Sequence, residues 1–192
     1  MTQKRAMQDL LPRYQMPDGV WDFDGLFDFK EVVVEIGSGD GTAALAYAKQ
    51  FPNRIVIAID VYTPGIAQLM HDAELQQVKN LRVVIGDALK IFKEQIPDNK
   101  LIALHVFFPD PWPKQRHHKR RILNEDNLII FKSKLLASAQ ILIATDWQEY
   151  AESIQEVLQA KIHPRPHWRP VSRFEKRAIK DGRKVTELLI DN

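Results

Sequence analysis

A chain of 192 residues fits one domain with a sizeable core and is too short for two of ordinary size. With no cysteine it can form no disulfide, no Cys-ligated zinc site and no thiol nucleophile. No run of about 18 apolar residues predicts a membrane span. No apolar stretch follows Met1–Arg5 to make a secretory signal, so a cytoplasmic location is expected.

The net charge of +2 is unevenly placed. Residues 114–121 hold five Lys/Arg and no acid, and residues 161–184 hold nine Lys/Arg against Glu175 and Asp181. These 32 residues therefore carry 14 bases and 2 acids, while the other 160 carry 13 bases and 23 acids. An acidic body with two basic segments points to a polyanionic partner.

Residues 1–30 are the least regular part. Leu10, Leu11 and Trp21 suit the edge of a core, whereas Pro12, Pro17 and Gly19 argue against a long helix. Asp22, Asp24 and Asp28 read as turn and surface residues rather than metal ligands. From residue 31 strands and helices alternate. Strands are predicted at 32–34, 55–59, 81–85, 101–107 and 141–144, with a last one at 185–190. Helices are predicted at 42–51, 64–78 and 124–136, and from Asp146 to about Leu158, Pro64 suiting a first turn. The pattern implies one α/β domain, a Rossmann-like, mostly parallel sheet with helices on both faces. It divides into an N-terminal extension (1–30), a cofactor-binding core (31–160) and a basic segment with the last strand (161–192).

In such sheets ligands bind outside the carboxyl ends of the strands. Each of those ends carries an acid here: Glu35, Asp60, Asp87, Asp110 and Asp146. One Asp at a strand end is commonly a turn or cap residue, but five together are expected to ring one crevice. The glycine loop is Gly37-x-Gly39-x-Gly41, with Thr42 where the dinucleotide fingerprint has its third glycine. Glycines at alternate positions admit a close ligand, and Glu35 and Asp40 disfavour a pyrophosphate. A cationic cofactor with a ribose diol, S-adenosylmethionine, suits the loop better than NAD, with Asp60 accepting from the diol.

The most unusual stretch is 105–121, His-Val-Phe-Phe-Pro-Asp-Pro-Trp-Pro-Lys-Gln-Arg-His-His-Lys-Arg-Arg. Pro111 holds Asp110 extended, Trp112 offers a stacking face for a base, and the basic run follows. Adjacent His117 and His118 are read as part of that run, and no metal is expected.

Five motifs together resemble the bacterial tRNA (guanine-N7)-methyltransferases, in order and spacing over residues 31–177. They are Val34–Gly41, Phe107–Lys114, Arg116–Arg121, Ala144–Trp147 and Arg169–Glu175. The resemblance implies a class I S-adenosylmethionine-dependent methyltransferase that forms 7-methylguanosine at guanine-46 in the variable loop of tRNA. It implies that Glu35, Asp60 and Asp87, with the glycines 37, 39 and 41, hold the cofactor, and that Asp110 lies beside it at the catalytic centre. Lys114, Asp146 and the segment Ser172, Arg173, Phe174, Glu175 would meet the substrate, and Arg116, His117, His118, Lys119, Arg120 and Arg121 the RNA. Guanine N7 has a lone pair and no proton, so its methylation needs no general base, and Asp110 is cast as an orienting and electrostatic group. The sequence departs from the family pattern at Asp60 (usually Glu), Ser38, Ser172 (for Thr), Ala178 (for Gly) and in the tail 182–188, and its N-terminal arm is short. A related methyltransferase acting on another RNA or nucleotide, and a non-catalytic RNA-binding relative, are the competing readings. Monomer and homodimer are both compatible with the sequence.

Overall fold

The computed structural model describes residues 2–26 and 31–192. Asp28 lies outside them. The chain runs α1 (Gln3–Tyr14), α2 (Phe23–Leu26), β1 (Glu31–Ile36), α3 (Thr42–Gln50), β2 (Arg54–Asp60), α4 (Thr63–Leu75), β3 (Leu81–Ile85), α5 (Ala88–Glu94) and β4 (Leu101–Phe107). A 3₁₀ turn (Gln115–Arg120) then leads to α6 (Glu125–Lys134), β5 (Leu135–Thr145), α7 (Gln148–Leu158), β6 (Lys161–Ile162), α8 (Arg173–Lys180) and β7 (Thr186–Asp191).

The strands form one sheet in the order β3-β2-β1-β4-β5-β7-β6. β1 to β5 are parallel to one another, and β7 is antiparallel to both β5 and β6. One face carries α1, α3 and α4 on Val33, Val56, Ala58 and Val83. The other carries α5, α6 and α7 on Val34, Ile57, Leu104 and Ile143. Cover on both faces explains why Val32, Val33 and Val34 run as consecutive buried residues instead of alternating with polar ones. The chain steps from β1 outward to β3, then returns to place β4 on the other side of β1. Ligand crevices form at such a reversal.

The expected sheet and helices are present; the short α2 and β6 are additional, and the larger differences are these. Residues 3–14 form a helix despite Pro12, because Ala6, Leu10 and Tyr14 recur every four residues and bury one stripe against α4 and β3. Thr2 caps its start by accepting from the Arg5 N–H. Beyond it, Gln15 bridges Val83 and so shields the open edge of β3. Two further helices, α5 and α8, are introduced by side-chain caps, the Asp87 carboxylate accepting from Lys90 N–H at 2.9 Å and Ser172 Oγ from Glu175 N–H at 3.2 Å. Finally, α6 stops at Lys134 and β5 begins at Leu135, six residues before the predicted start at 141. Leu135 pairs with Leu101 and Gln140 with Ala103, so a bulge interrupts the strand between them.

Candidate active site

The glycine loop leaves β1 with Gly37, Gly39 and Gly41 all at positive φ (70°, 57° and 75°), backbone that side chains other than glycine rarely adopt. Asp60, at the end of β2, holds this loop. Its Oδ2 accepts from Gly39 N–H at 2.6 Å and its Oδ1 from Tyr62 N–H at 2.8 Å. Gly65, in the first turn of α4, lies so close to the Gly39 carbonyl oxygen that a Cβ there would overlap it. The sequence reading missed Gly65, although a glycine inside a helical run directly after Pro64 signals a close approach.

A cleft of about 390 Å³ opens at the carboxyl ends of β1 to β4. Gly37, Asp60, Asp87 and Asp110 line it, with Ile36, Ile59, Val61, Val106 and Ile122 as apolar walls and Trp112 and Arg120 at its rim. The expected ring of five acids is thus three. Glu35 faces the other side of the sheet, because side chains alternate along a strand and Ile36 is the one that reaches the cleft. Asp146 is drawn away to Arg183, with which it forms an ion pair. Gly39 and Gly41 shape the loop without lining the cleft. Asp40 is turned to the start of α3, where its Oδ1 accepts from Thr42 Oγ1 at 2.7 Å.

The loop that bears Asp110 is strained and firmly held. Phe108 and Trp112 have φ of 53° and 42°, at a cost of about 1–3 kcal/mol each for residues other than glycine. Phe108 N–H donates to Ala144 O at 2.7 Å, and Arg121 Nε donates to Pro111 O at 2.8 Å. Arg120 lies over the Trp112 ring at 4.9 Å. Asp110, between these supports, is exposed.

The two basic segments divide into structural and available charges. Arg121, expected at the RNA, is only 3% exposed. Its guanidinium pairs with Glu149, meets His118 Nε2 at 3.0 Å and lies over Tyr150 at 4.5 Å. The bond from Arg121 holds the Glu149 carboxyl below the usual carboxylate range. This is a correction to the expected role: the charge is already engaged inside the protein. Arg116, Lys119 and Arg120 are exposed, and His117 and His118 half-buried. Lys114 is exposed one residue before the turn.

In the second segment Arg165 grips both oxygens of Glu175, at 2.8 and 3.0 Å. Arg169 bonds Glu175 at 2.9 Å, pairs with Glu187 and lies over the Phe107 and Phe108 rings at 5.2 and 5.7 Å. Burial pushes the Glu187 carboxyl up, against the pull of Arg169. Glu175, expected at the substrate, is therefore enclosed between two arginines, and Ser172 is the cap of α8. The Ser172-x-x-Glu175 spacing was the available signal for that cap. What α8 presents outward is Arg173, Phe174, Lys176, Arg177 and Lys180, all exposed, with the Phe174 ring 3.5 Å from where a Cβ on Gly39 would stand. Among the described residues no acid pairs with these cations.

A family model described as "Putative methyltransferase" matches residues 30–188. The tRNA (guanine-N(7)-)-methyltransferase of Methylobacillus flagellatus is 36% identical, with 97% of this chain and 84% of that protein aligned. The protein of the same name from Psychromonas ingrahamii is 40% identical over 88% of this chain and 74% of its own length. Among solved structures, the 16S rRNA methyltransferase KamB superposes with a TM-score of 0.59 at 17% identity, covering 92% of this chain and 97% of that one. An rRNA methylase from Streptococcus thermophilus gives 0.57 at 12% identity, covering 88% and 90%. The family model and the relatives make the chain an S-adenosylmethionine-dependent methyltransferase, and its sheet has the class I fold. More narrowly, the chain belongs to the tRNA (guanine-N7)-methyltransferase family.

Proposed function

We propose that this enzyme methylates N7 of a guanine in tRNA, guanine-46 of the variable loop, and that the cleft at the ends of β1 to β4 is where it does so. The observation that carries this reading is the convergence of Asp60, Asp87 and Asp110 on one cleft whose rim is Trp112 and Arg120.

The residues fit the cofactor. The cleft is lined by three carboxylates and one arginine, which suits a cation and repels a pyrophosphate. Asp60 uses one lone pair of each oxygen on the loop and keeps others for a ribose diol. Bound S-adenosylmethionine supplies an electrophilic methyl group. Asp60 and Asp87 would hold it in the cleft they line.

Asp110 orients the guanine and stabilises the positive charge that appears on the purine as the methyl is transferred. It abstracts no proton, since N7 carries none. Trp112 offers its face to the base, and Arg120, over that ring, reaches the neighbouring phosphate. The Trp112–Arg120 rim and the strained loop are fixed in advance, so binding does not have to order them. Extruding the base costs about a few kcal/mol. Arg116, Lys119 and Arg120 on one side, with Arg173, Lys176, Arg177 and Lys180 on α8, offset that cost by holding phosphates. Lys114 and Phe174 complete the substrate side by direct contact, while Ser172 and Glu175 fix α8 behind them. The enzyme works in the cytoplasm, where its substrate is.

The test is methyl transfer from labelled cofactor to bulk tRNA, followed by borohydride and aniline cleavage. Cleavage at the variable loop that needs the enzyme, and a loss of about a hundredfold or more in Asp110→Ala, are expected. Transfer into tRNA without that cleavage would overturn the N7 assignment.

A further inference from the structure

Arg169 lies in the segment between β6 and α8 and is 3% exposed, yet its guanidinium meets three elements. Nη1 donates to Glu175 of α8 at 2.9 Å, and Nη2 pairs with Glu187 of β7. The guanidinium carbon stands 5.2 Å from the centre of the Phe107 ring and 5.7 Å from that of Phe108. Both phenylalanines line the cleft. Phe107, Ala144 and Glu187 are register partners across β4, β5 and β7, so Arg169 spans that row from the carboxylate at one end to the ring at the other. The middle member of the row binds the loop as well, since Phe108 N–H donates to Ala144 O at 2.7 Å.

Ion pairing alone gives no reason for this arrangement. A buried guanidinium between acids is often no more stable than apolar side chains of similar volume, and the Nε of Arg169 has no hydrogen-bond partner. The contacts with the two rings are within cation–π range. They fall where the backbone enters positive φ at Phe108, two residues before Asp110. We propose that Arg169 is a positioning residue for methyl transfer: braced by Glu175 and Glu187, it fixes the Phe107 and Phe108 rings and, through them, the loop that carries Asp110. The helix α8, whose outward cations hold RNA in the reading above, is thereby tied through Glu175 to the same loop. The inference rests on the reading that Asp110 stands at the reacting centre. Arg169 is enclosed and acts through the rings, not by touching the substrate.

Steady-state methylation of bulk tRNA, with calorimetric titration of S-adenosylhomocysteine and thermal unfolding, tests this. Lysine keeps the charge but lacks the flat fork that serves two acids and two rings at once. Arg169→Lys is expected to lower kcat about tenfold, with KM for tRNA and Kd for S-adenosylhomocysteine within about threefold of wild type. Arg169→Gln, which loses the charge too, is expected to lower kcat further. Both variants should have a lower Tm, so the assays are run well below it. Phe108→Leu is expected to cost less in the Arg169→Lys background than alone, because ring and guanidinium act as a unit. Wild-type kcat in both Arg169 variants, with only Tm reduced, overturns the positioning role and leaves a structural ion network. Strictly additive losses in the double variant overturn the route through the ring. If neither Arg169 variant folds, Glu187→Ala, which frees one side of the guanidinium, decides: lower kcat at unchanged KM upholds the role, and wild-type kcat overturns it. Wild-type kcat in Asp110→Ala instead overturns the placement of the reacting centre. Activity lost in Asp110→Ala but kept in the Arg169 variants sinks the positioning role alone.

Discussion

The Asp60 carboxylate holds the backbone of Gly39: Oδ2 accepts the Gly39 N–H at 2.6 Å, while Oδ1 accepts that of Tyr62 at 2.8 Å. One side chain at the end of β2 therefore sets the shape of the turn that follows β1. Asp60→Asn presents an amide NH₂ to one of these donors and removes the charge. S-adenosylhomocysteine affinity is expected to fall by about 10- to 100-fold, or roughly 1.5–3 kcal/mol, measured by calorimetry.

Gly65 makes the same loop depend on α4. A Cβ at this position overlaps the Gly39 carbonyl oxygen, and backbone cannot yield as the end of a flexible side chain can. Gly65→Ala is expected to cost about 1–3 kcal/mol in urea unfolding. Cofactor affinity should drop with it, because the displaced atom belongs to the loop. A variant as stable and as tightly binding as the parent would show that α4 does not brace the loop.

Neighbouring arginines at 120 and 121 are expected to behave oppositely. Arg120→Ala should weaken tRNA binding and reduce the salt slope of log Kd by about 1, with unchanged Tm. Arg121→Ala should cost roughly 2 kcal/mol of stability, since it strips the Pro111 carbonyl and Glu149 of their donor. Filter binding at several salt concentrations and thermal unfolding separate the two.

Burial pushes the Tyr150 hydroxyl up to about 12 from its ordinary 10.0. The folded chain thus keeps this proton where the unfolded chain releases it. The resulting stability is complete below pH 10 and is lost as pH rises from 10 to about 12. Two pH units correspond to at most about 3 kcal/mol. Urea unfolding of Tyr150→Phe across this range should show a shallower decline than the wild type. Parallel curves would mean that Tyr150 titrates alike in both states.

Glu187 has the same sign in the acid range. Its carboxyl is held up by burial, so its contribution is greatest at or below its ordinary 4.5 and falls as pH rises above that. Glu187→Gln is expected to flatten the stability curve just above pH 4.5, read by the same unfolding series.

Much of this was legible in the chain because local chemistry decided it. Val32–Val34 and Ile55–Ile59 announce buried parallel strands, the glycines at 37, 39 and 41 a turn, and Asp110 between two prolines a rigid loop. What was missed had local signals too: the four-residue stripe Ala6, Leu10, Tyr14 outweighs Pro12, and Ser172-x-x-Glu175 starts a helix. Asp87 serves in both ways open to an acid at a strand end, since its carboxylate caps α5 and lines the cleft.

By itself, then, the order of residues determined the sheet, the turn at its centre and the carboxylates at its strand ends, since periodicity, proline and glycine act over a few neighbouring positions. Only the tertiary structure decided which charges remain available. Arg121, Arg169, Glu175 and Asp146 look in sequence like Arg120, Arg173 and Asp110, but folding brings each against an opposite charge elsewhere in the chain. Ion pairs between segments 6 to 37 residues apart depend on where the chain returns, and no local pattern encodes that.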